Sequence, residues 1–205
     1  MLVPTTAPAG PIAAAPLPRS APVHRSPIDA AVFGVVVAIT TELMFFAGLL
    51  SAYNIARGKV PMSIWPPPDQ PRLPIESTAV NSGFLLASGV LVWLAVRALR
   101  KSAPASRYAV AAWVLGALFV VLQGREWVDL LAQGLTMQKS THASFFYLIV
   151  GTHGLHAVAG LLALGWVVRR MVQGTATLSQ LRAAAVFWAF VVLIWPMIYV
   201  MVYLG

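Results

Sequence analysis

The chain has 205 residues, 59% of them hydrophobic and only 10% charged, with a formal charge of +8 and a mean hydropathy of +0.79. Its apolar residues fall in long blocks, not in the alternation that wraps a soluble core, which is the pattern of an all-α polytopic membrane protein. The Lys and Arg residues stand mostly between the blocks, where membrane topology accounts for them, so the positive charge is no sign of nucleic-acid binding. With no cysteine in the chain, disulfides, Cys-ligated zinc and iron-sulfur clusters are excluded.

Residues 1–27 are rich in Pro and Ala, with Pro4, Pro8, Pro11, Pro16, Pro18, Pro22 and Pro27. Such a stretch predicts a disordered tail, and it lacks the charged start and compact apolar run of a signal peptide. Five apolar blocks follow, each long enough to cross a bilayer at about 20 residues per span. They predict spans at 28–56, 78–99, 108–131, 143–168 and 181–204. Residues 28–205 are therefore read as one transmembrane domain, a five-helix bundle.

Near mid-depth of the first span stands Glu42, with no basic residue between Arg25 and Arg57. An ionisable group there costs several kcal/mol unless it is paired, hydrated or protonated. Two readings are open for it: a protonated acid hydrogen-bonded to a neighbouring helix, or a group that handles protons or meets a partner. After this span, Trp65-Pro66-Pro67-Pro68-Asp69-Gln70-Pro71 predicts an extended surface segment, because four prolines remove donors and fix backbone angles.

In the third span Gln123, Glu126 and Leu130 share a face, and Arg125 stands four residues before Asp129, the spacing of a local ion pair. The fourth span carries His153 and His156, three residues apart, with Gly160 beyond them where a neighbouring helix can come close. Because the third and fourth spans are consecutive and antiparallel, a contact between Glu126 and His153 is expected. Two His and a nearby Glu also suggest zinc or iron, but no span contains the Glu-x-x-His pairs of carboxylate-bridged metal bundles. Both histidines lie on one helix, so no haem clamp is formed. Phe45, Phe46, Phe145, Phe146, Trp93, Trp113 and Trp166 read as packing residues or interfacial anchors. There is no phosphate-binding loop, dinucleotide fingerprint or nucleophile elbow. No catalytic centre or bound cofactor is expected in this chain.

Orientation follows from the basic residues. With the N-terminus inside, the inner face receives Arg19, Arg25, Arg97, Arg100, Lys101, Arg107, Arg169, Arg170 and Arg182, and the outer face Arg57, Lys59, Arg72 and Lys139. The positive-inside rule then predicts the N-terminus inside and the C-terminus outside.

Four stretches carry a resemblance. Thr41-Glu42-Leu43-Met44-Phe45-Phe46-Ala47-Gly48, Trp65-Pro66-Pro67, Gln123-Gly124-Arg125-Glu126-Trp127, and Ser144-Phe145-Phe146-Tyr147 through His153-Gly154-Leu155-His156 resemble subunit III of the haem-copper oxidases, in that family's order and spacing. The likeness covers about residues 30–204 and is to the short five-helix bacterial form. It implies a noncatalytic subunit in the bacterial inner membrane, packed against catalytic subunit I and the other oxidase subunits of aerobic respiration, with the haem and copper in the catalytic partner. It further implies phospholipids held in a cleft between helices, and support of proton uptake and of stability in the catalytic subunit. Glu42 matches the family's intramembrane glutamate, and Glu126 with His153 or His156 its buried polar pair. Arg170, next to Arg169, matches a basic residue near a lipid phosphate, which suits an arginine snorkelling to the inner interface.

One departure stands out. Where the family usually has Trp-His-Phe followed two residues on by Asp, this chain has Trp188-Ala189-Phe190-Val191-Val192, with Pro196 further on to bend the helix. The electron donor, cytochrome c or quinol, and membership of a respiratory supercomplex are left open. So are a subunit-III-like protein of a nitric oxide reductase and an independent proton-coupled carrier using Glu42. Against the carrier stand the absence of internal repeats and five spans, which do not divide into equal halves.

Overall fold

A computed structural model describes residues 29–61 and 64–205. The expected tail at 1–27, with Arg19 and Arg25, lies outside the described residues. The elements in chain order are α1 (Ala30–Gly58), α2 (Ile75–Arg100), α3 (Ser106–Ala132), α4 (Thr141–Val172) and α5 (Leu178–Ile198), and α5 continues into a π-helical turn, Tyr199–Tyr203. All five helices are long and apolar enough to cross a bilayer, since a hydrocarbon core about 30 Å thick needs about 20 residues. The protein is an all-α, multi-pass membrane bundle.

The helix ends are written in short polar signals. Asp29 caps α1 by accepting from the Ala31 N–H at 3.1 Å, Ser140 caps α4 through the Ala143 N–H at 3.0 Å, and Thr177 and Gln180 form a reciprocal capping box at α5. Such caps satisfy N–H groups that the helix itself leaves without partners. After α3 and α4 the chain reverses through Gly134 and Gly174, both at positive φ. In each turn the next residue's N–H reaches back to the helix, Leu135 to the Leu130 carbonyl and Thr175 to that of Arg170, which is the glycine-terminated helix stop.

Packing centres on α5, which touches α1, α2 and α4, while α3 lies against α2 and α4. Of the five, α5 buries the largest share of its span and α1 the smallest. Trp188 of α5 is fully buried and joins three neighbours. A Cβ on Gly116 of α3 would sit 2.7 Å from its Cζ2, and one on Gly160 of α4 would sit 2.9 Å from its Cε3. Its indole N–H donates to Ser88 Oγ of α2 at 3.0 Å, and Ser88 donates onward to the Ala112 carbonyl at 2.7 Å. The two glycines therefore make the slot that the tryptophan fills. Gly160 does admit a neighbouring helix closely, and that helix is α5.

The segment around Trp65-Pro66-Pro67 departs from the expected extended surface segment. Trp65 packs in T-shaped contact with Tyr53 of α1 at 5.8 Å and His142 of α4 at 5.3 Å. Gln70 is buried, its Nε2 3.0 Å from His142 Nδ1 and its Oε1 accepting from Ser140 Oγ at 2.8 Å. The backbone here runs through bends and a turn, and the buried amide needs partners, which the start of α4 supplies. This segment is a cap pinned onto the bundle.

Candidate functional site

The inward stripe of α1 runs Phe46, Leu50 and Tyr53, all buried. Glu42 stands one turn before Phe46 on that stripe, since residues four apart share a helix face. It meets His156 of α4, with Oε2 3.1 Å from Nε2. Around the pair, the His156 ring packs edge-on against Phe46 at 5.4 Å and Phe190 at 6.0 Å. The surroundings are aromatic, and 35% of the Glu42 side chain remains accessible, so the acid is held yet reachable.

The other ring nitrogen decides the protonation of the contact. His156 Nδ1 lies 2.8 Å from the Thr152 carbonyl, an oxygen that only accepts, so Nδ1 carries a hydrogen. A contact between Nε2 and a carboxyl oxygen then needs one proton between them. It is either a carboxylic acid donating to a neutral imidazole or an imidazolium donating to a carboxylate. Both arrangements have zero net charge, which suits an apolar site where an unpaired ion is costly. A contact of this kind would keep the same net charge with its proton on either residue.

Glu126 is elsewhere. Its Oε2 accepts from Thr78 Oγ1 of α2 at 2.7 Å and from Gln123 Nε2 at 3.2 Å. Gln123 also donates to Tyr203 Oη at 3.0 Å and accepts from Asn81 Nδ2 at 3.2 Å. The acid thus belongs to a polar network binding α2, α3 and the end of α5. The expected contact between Glu126 and His153 is not formed. His153 is buried with neither ring nitrogen hydrogen-bonded; it stacks on Trp195 at 5.0 Å and meets Phe46 edge-on at 6.4 Å. Residues three apart on a helix point about 60° away from each other, given 3.6 residues per turn. That rotation sends His156 to α1 and His153 into the aromatic core. Arg125 and Asp129 are both exposed, and no ion pair joins them: the described residues contain two such contacts, Lys139 with Asp69 and His156 with Glu42.

At the opposite end of α4, Arg169 is exposed. Arg170 lies over the Trp166 ring at 5.2 Å and donates to the Thr175 carbonyl at 3.1 Å. Its guanidinium is thereby fixed at the level of the last turn. Among the described residues no group of three His, Cys, Asp or Glu side chains could hold a metal ion.

Reading the sequence missed the polar face of α2. Thr78, Asn81, Ser82 and Ser88 all hydrogen-bond inward, Ser82 accepting from the Trp195 indole at 2.7 Å. Their spacing of three, one and six residues places them along one side of a helix, and that periodicity was the available signal. Tyr203 and His142 carried no comparable pattern. Where the chain departs from the familiar Trp-His-Phe stretch, Ala189 and Val192 line an open apolar groove between α2 and α5.

The family model described as Cytochrome c oxidase subunit III matches residues 23–205. Relatives include the probable cytochrome c oxidase subunit 3 of Mycobacterium leprae, 34% identical over 83% of this chain and 85% of the relative. The cytochrome c oxidase subunit 3 of Synechocystis is 32% identical over 91% of this chain and 81% of its own length. That of Formosania lacustris is 31% identical over 88% and 72%. A match running through all five helices, together with Glu42, Glu126 and both histidines within it, means that the chain belongs to the cytochrome c oxidase subunit III family.

Proposed function

We propose that this subunit III of a terminal oxidase works without bond-making of its own, by bracing catalytic subunit I and by supporting that subunit's proton supply. The haem and copper belong to the catalytic partner. The subunit lies in the bacterial inner membrane with its N-terminus on the cytoplasmic side, a reading supported by the arginine-rich end formed where α2 and α4 finish and α3 and α5 begin. Phospholipid headgroups meet Arg169 and Arg170 at that end.

The observation that carries the proton role is the Glu42–His156 contact at 3.1 Å with Nδ1 committed to the Thr152 carbonyl. A site that keeps one proton at constant net charge, with the acid still accessible, is suited to passing protons toward a neighbouring chain. Glu126 and His153 serve the fold: the first ties three helices and the second fills an aromatic core.

The test is purification of the tagged subunit in mild detergent, followed by a visible absorption spectrum and a partner list. Haem bands are expected in the complex and not in the isolated chain, and the partner list also identifies any respiratory supercomplex. Glu42→Gln is expected to leave haem content unchanged while slowing proton uptake during turnover. Loss of haem from the Glu42→Gln complex would overturn this division of labour, and an unchanged uptake rate would remove the proton role.

A further inference from the structure

Residues 64–74 are held on the bundle by one side chain above all. Gln70 reaches both Ser140 and His142 at the start of α4. The other polar tie to that end, the Lys139–Asp69 ion pair at 3.7 Å, is exposed, and such pairs contribute little. Seated in this way, the segment sets Trp65 against Tyr53 of α1 at 5.8 Å and against the His142 ring at 5.3 Å. It clasps α1 to α4 at this end of the bundle.

The hydrogens of the clasp follow from its geometry. Ser140 Oγ accepts the Ala143 N–H at 3.0 Å and donates its single hydrogen to Gln70 Oε1 at 2.8 Å. That orients the amide with Nε2, a donor, facing His142 Nδ1 at 3.0 Å. Nδ1 is therefore a bare acceptor, and the imidazole carries its one hydrogen on Nε2. A second proton has only Nδ1 to occupy, where it would meet the Gln70 amide hydrogens head-on. Turning the amide over would mend that contact but take the acceptor away from the Ser140 hydroxyl.

A charge on this ring would also be badly placed. His142 is 3% exposed, and a buried ion is costly unless it is paired. Facing it are Tyr53 of α1, Trp65, Gln70 and Arg72 of the segment, and Tyr203 and Gly205 beyond α5. Among the described residues no carboxylate pairs with the ring, and the Arg72 guanidinium disfavours an imidazolium further. A pocket of about 200 Å³, lined by Gln70, Arg72, His142 and Tyr203, gives protons a way to it.

We propose that His142 is a proton-operated latch. Neutral, it holds residues 64–74 on the bundle through Gln70; protonated, it releases them, and Trp65 leaves its seat between α1 and α4. The latch responds to the acidity of the compartment at this end of the bundle, the outer one in the orientation proposed above. It does not depend on the proton role of Glu42.

The experiment uses the intact oxidase complex in nanodiscs with a nitroxide attached at Asp69→Cys, because this chain has no cysteine of its own. The same complex without that substitution supplies the background. Electron paramagnetic resonance reads the ratio of mobile to immobile label between pH 8 and pH 5. The released form takes up a proton at the free-imidazole pKa of about 6.5 and the seated form does not, so the ratio should be flat above that value and rise by up to about tenfold per pH unit below it. His142→Asn, whose Oδ1 can accept from Gln70 in place of Nδ1, is expected to keep the label immobile across the range. Gln70→Glu offers a carboxylate to an imidazolium and is expected to keep the label immobile in acid. The haem spectrum at each pH verifies assembly. A label that stays immobile from pH 8 to pH 5 with His142 and Gln70 in place would overturn the proposal. So would the same rise in acid in the His142→Asn or the Gln70→Glu complex.

Discussion

If Glu42 and His156 share one proton, they should be energetically coupled, and a double-mutant cycle measures that coupling. His156→Phe keeps a ring of similar shape beside Phe46 and Phe190 but removes Nε2, leaving the carboxyl without its partner at 3.1 Å. Glu42→Leu leaves Nε2 unpaired instead. Stranding one polar group in apolar surroundings costs about 1–3 kcal/mol, whereas the double variant strands neither. Each single substitution should therefore destabilise by about 1–3 kcal/mol, and the double by clearly less than their sum, with an interaction energy of about 1–2 kcal/mol. Glu42→Gln should be milder than Glu42→Leu, because its amide can donate to Nε2. The assay is reversible unfolding of the subunit in mixed micelles, followed by circular dichroism. Additivity within about 0.5 kcal/mol would refute the shared-proton contact.

Three further outcomes test the fold. Gly116→Ala places a Cβ 2.7 Å from Trp188 Cζ2 and should cost about 1–3 kcal/mol by overpacking, while Gly124→Ala meets nothing within 4 Å and should gain about 0.5–1 kcal/mol; thermal denaturation of the two side by side separates them. Ser102 closes α2 at φ 54°, so Ser102→Gly should stabilise by about 1 kcal/mol in the same assay, removing the left-handed penalty at that position. The hydrogen bond from Ser179, with smaller help from the Ala31 and Val32 amides and Arg182, holds the Asp29 carboxyl below the usual carboxylate range. A lowered folded-state value means stability that is present above the unfolded pKa near 4 and lost as pH falls through the folded value. Asp29→Asn should therefore be less stable than wild type at neutral pH, and the gap should close in acid; equal gaps at pH 7 and pH 3 would contradict the capping role.

Much of the fold was legible because bilayer crossing leaves a coarse signature. Length, hydropathy and the scarcity of charge mark five helices without any knowledge of their packing. Gly160 was legible as a place of close approach because a missing Cβ has one obvious use inside a bundle. The proline segment was misjudged for a physical reason. Prolines constrain the backbone but do not say which side chains turn inward, and here bends and a turn press Trp65 and Gln70 into the bundle.

The partners of the polar residues were harder, because depth and rotation are different quantities. Counting at 1.5 Å per residue, Glu126 lies about 30 Å along α3 from Ser106, and His153 about 29 Å from the matching end of α4 at Val172, so their depths agree. Agreement in depth made the pair attractive. Yet Glu126 turns toward Thr78 of α2 and His153 toward Trp195 of α5, and nothing in the spacing of either helix specifies how it is rotated against its neighbours. That rotation is set by large residues seeking slots, above all Trp188 between Gly116 and Gly160. Once Trp188 fixes α4 against α5, His156 is left on the side where α1 packs, and Glu42, one turn before the buried Phe46, is the acid that meets it. A substitution that shifts Trp188 should therefore disturb the Glu42–His156 contact without touching either residue, so Gly160→Ala should reduce the interaction energy measured in the Glu42/His156 cycle. An interaction energy unchanged in the Gly160→Ala background would show that the dyad is set by α1 alone.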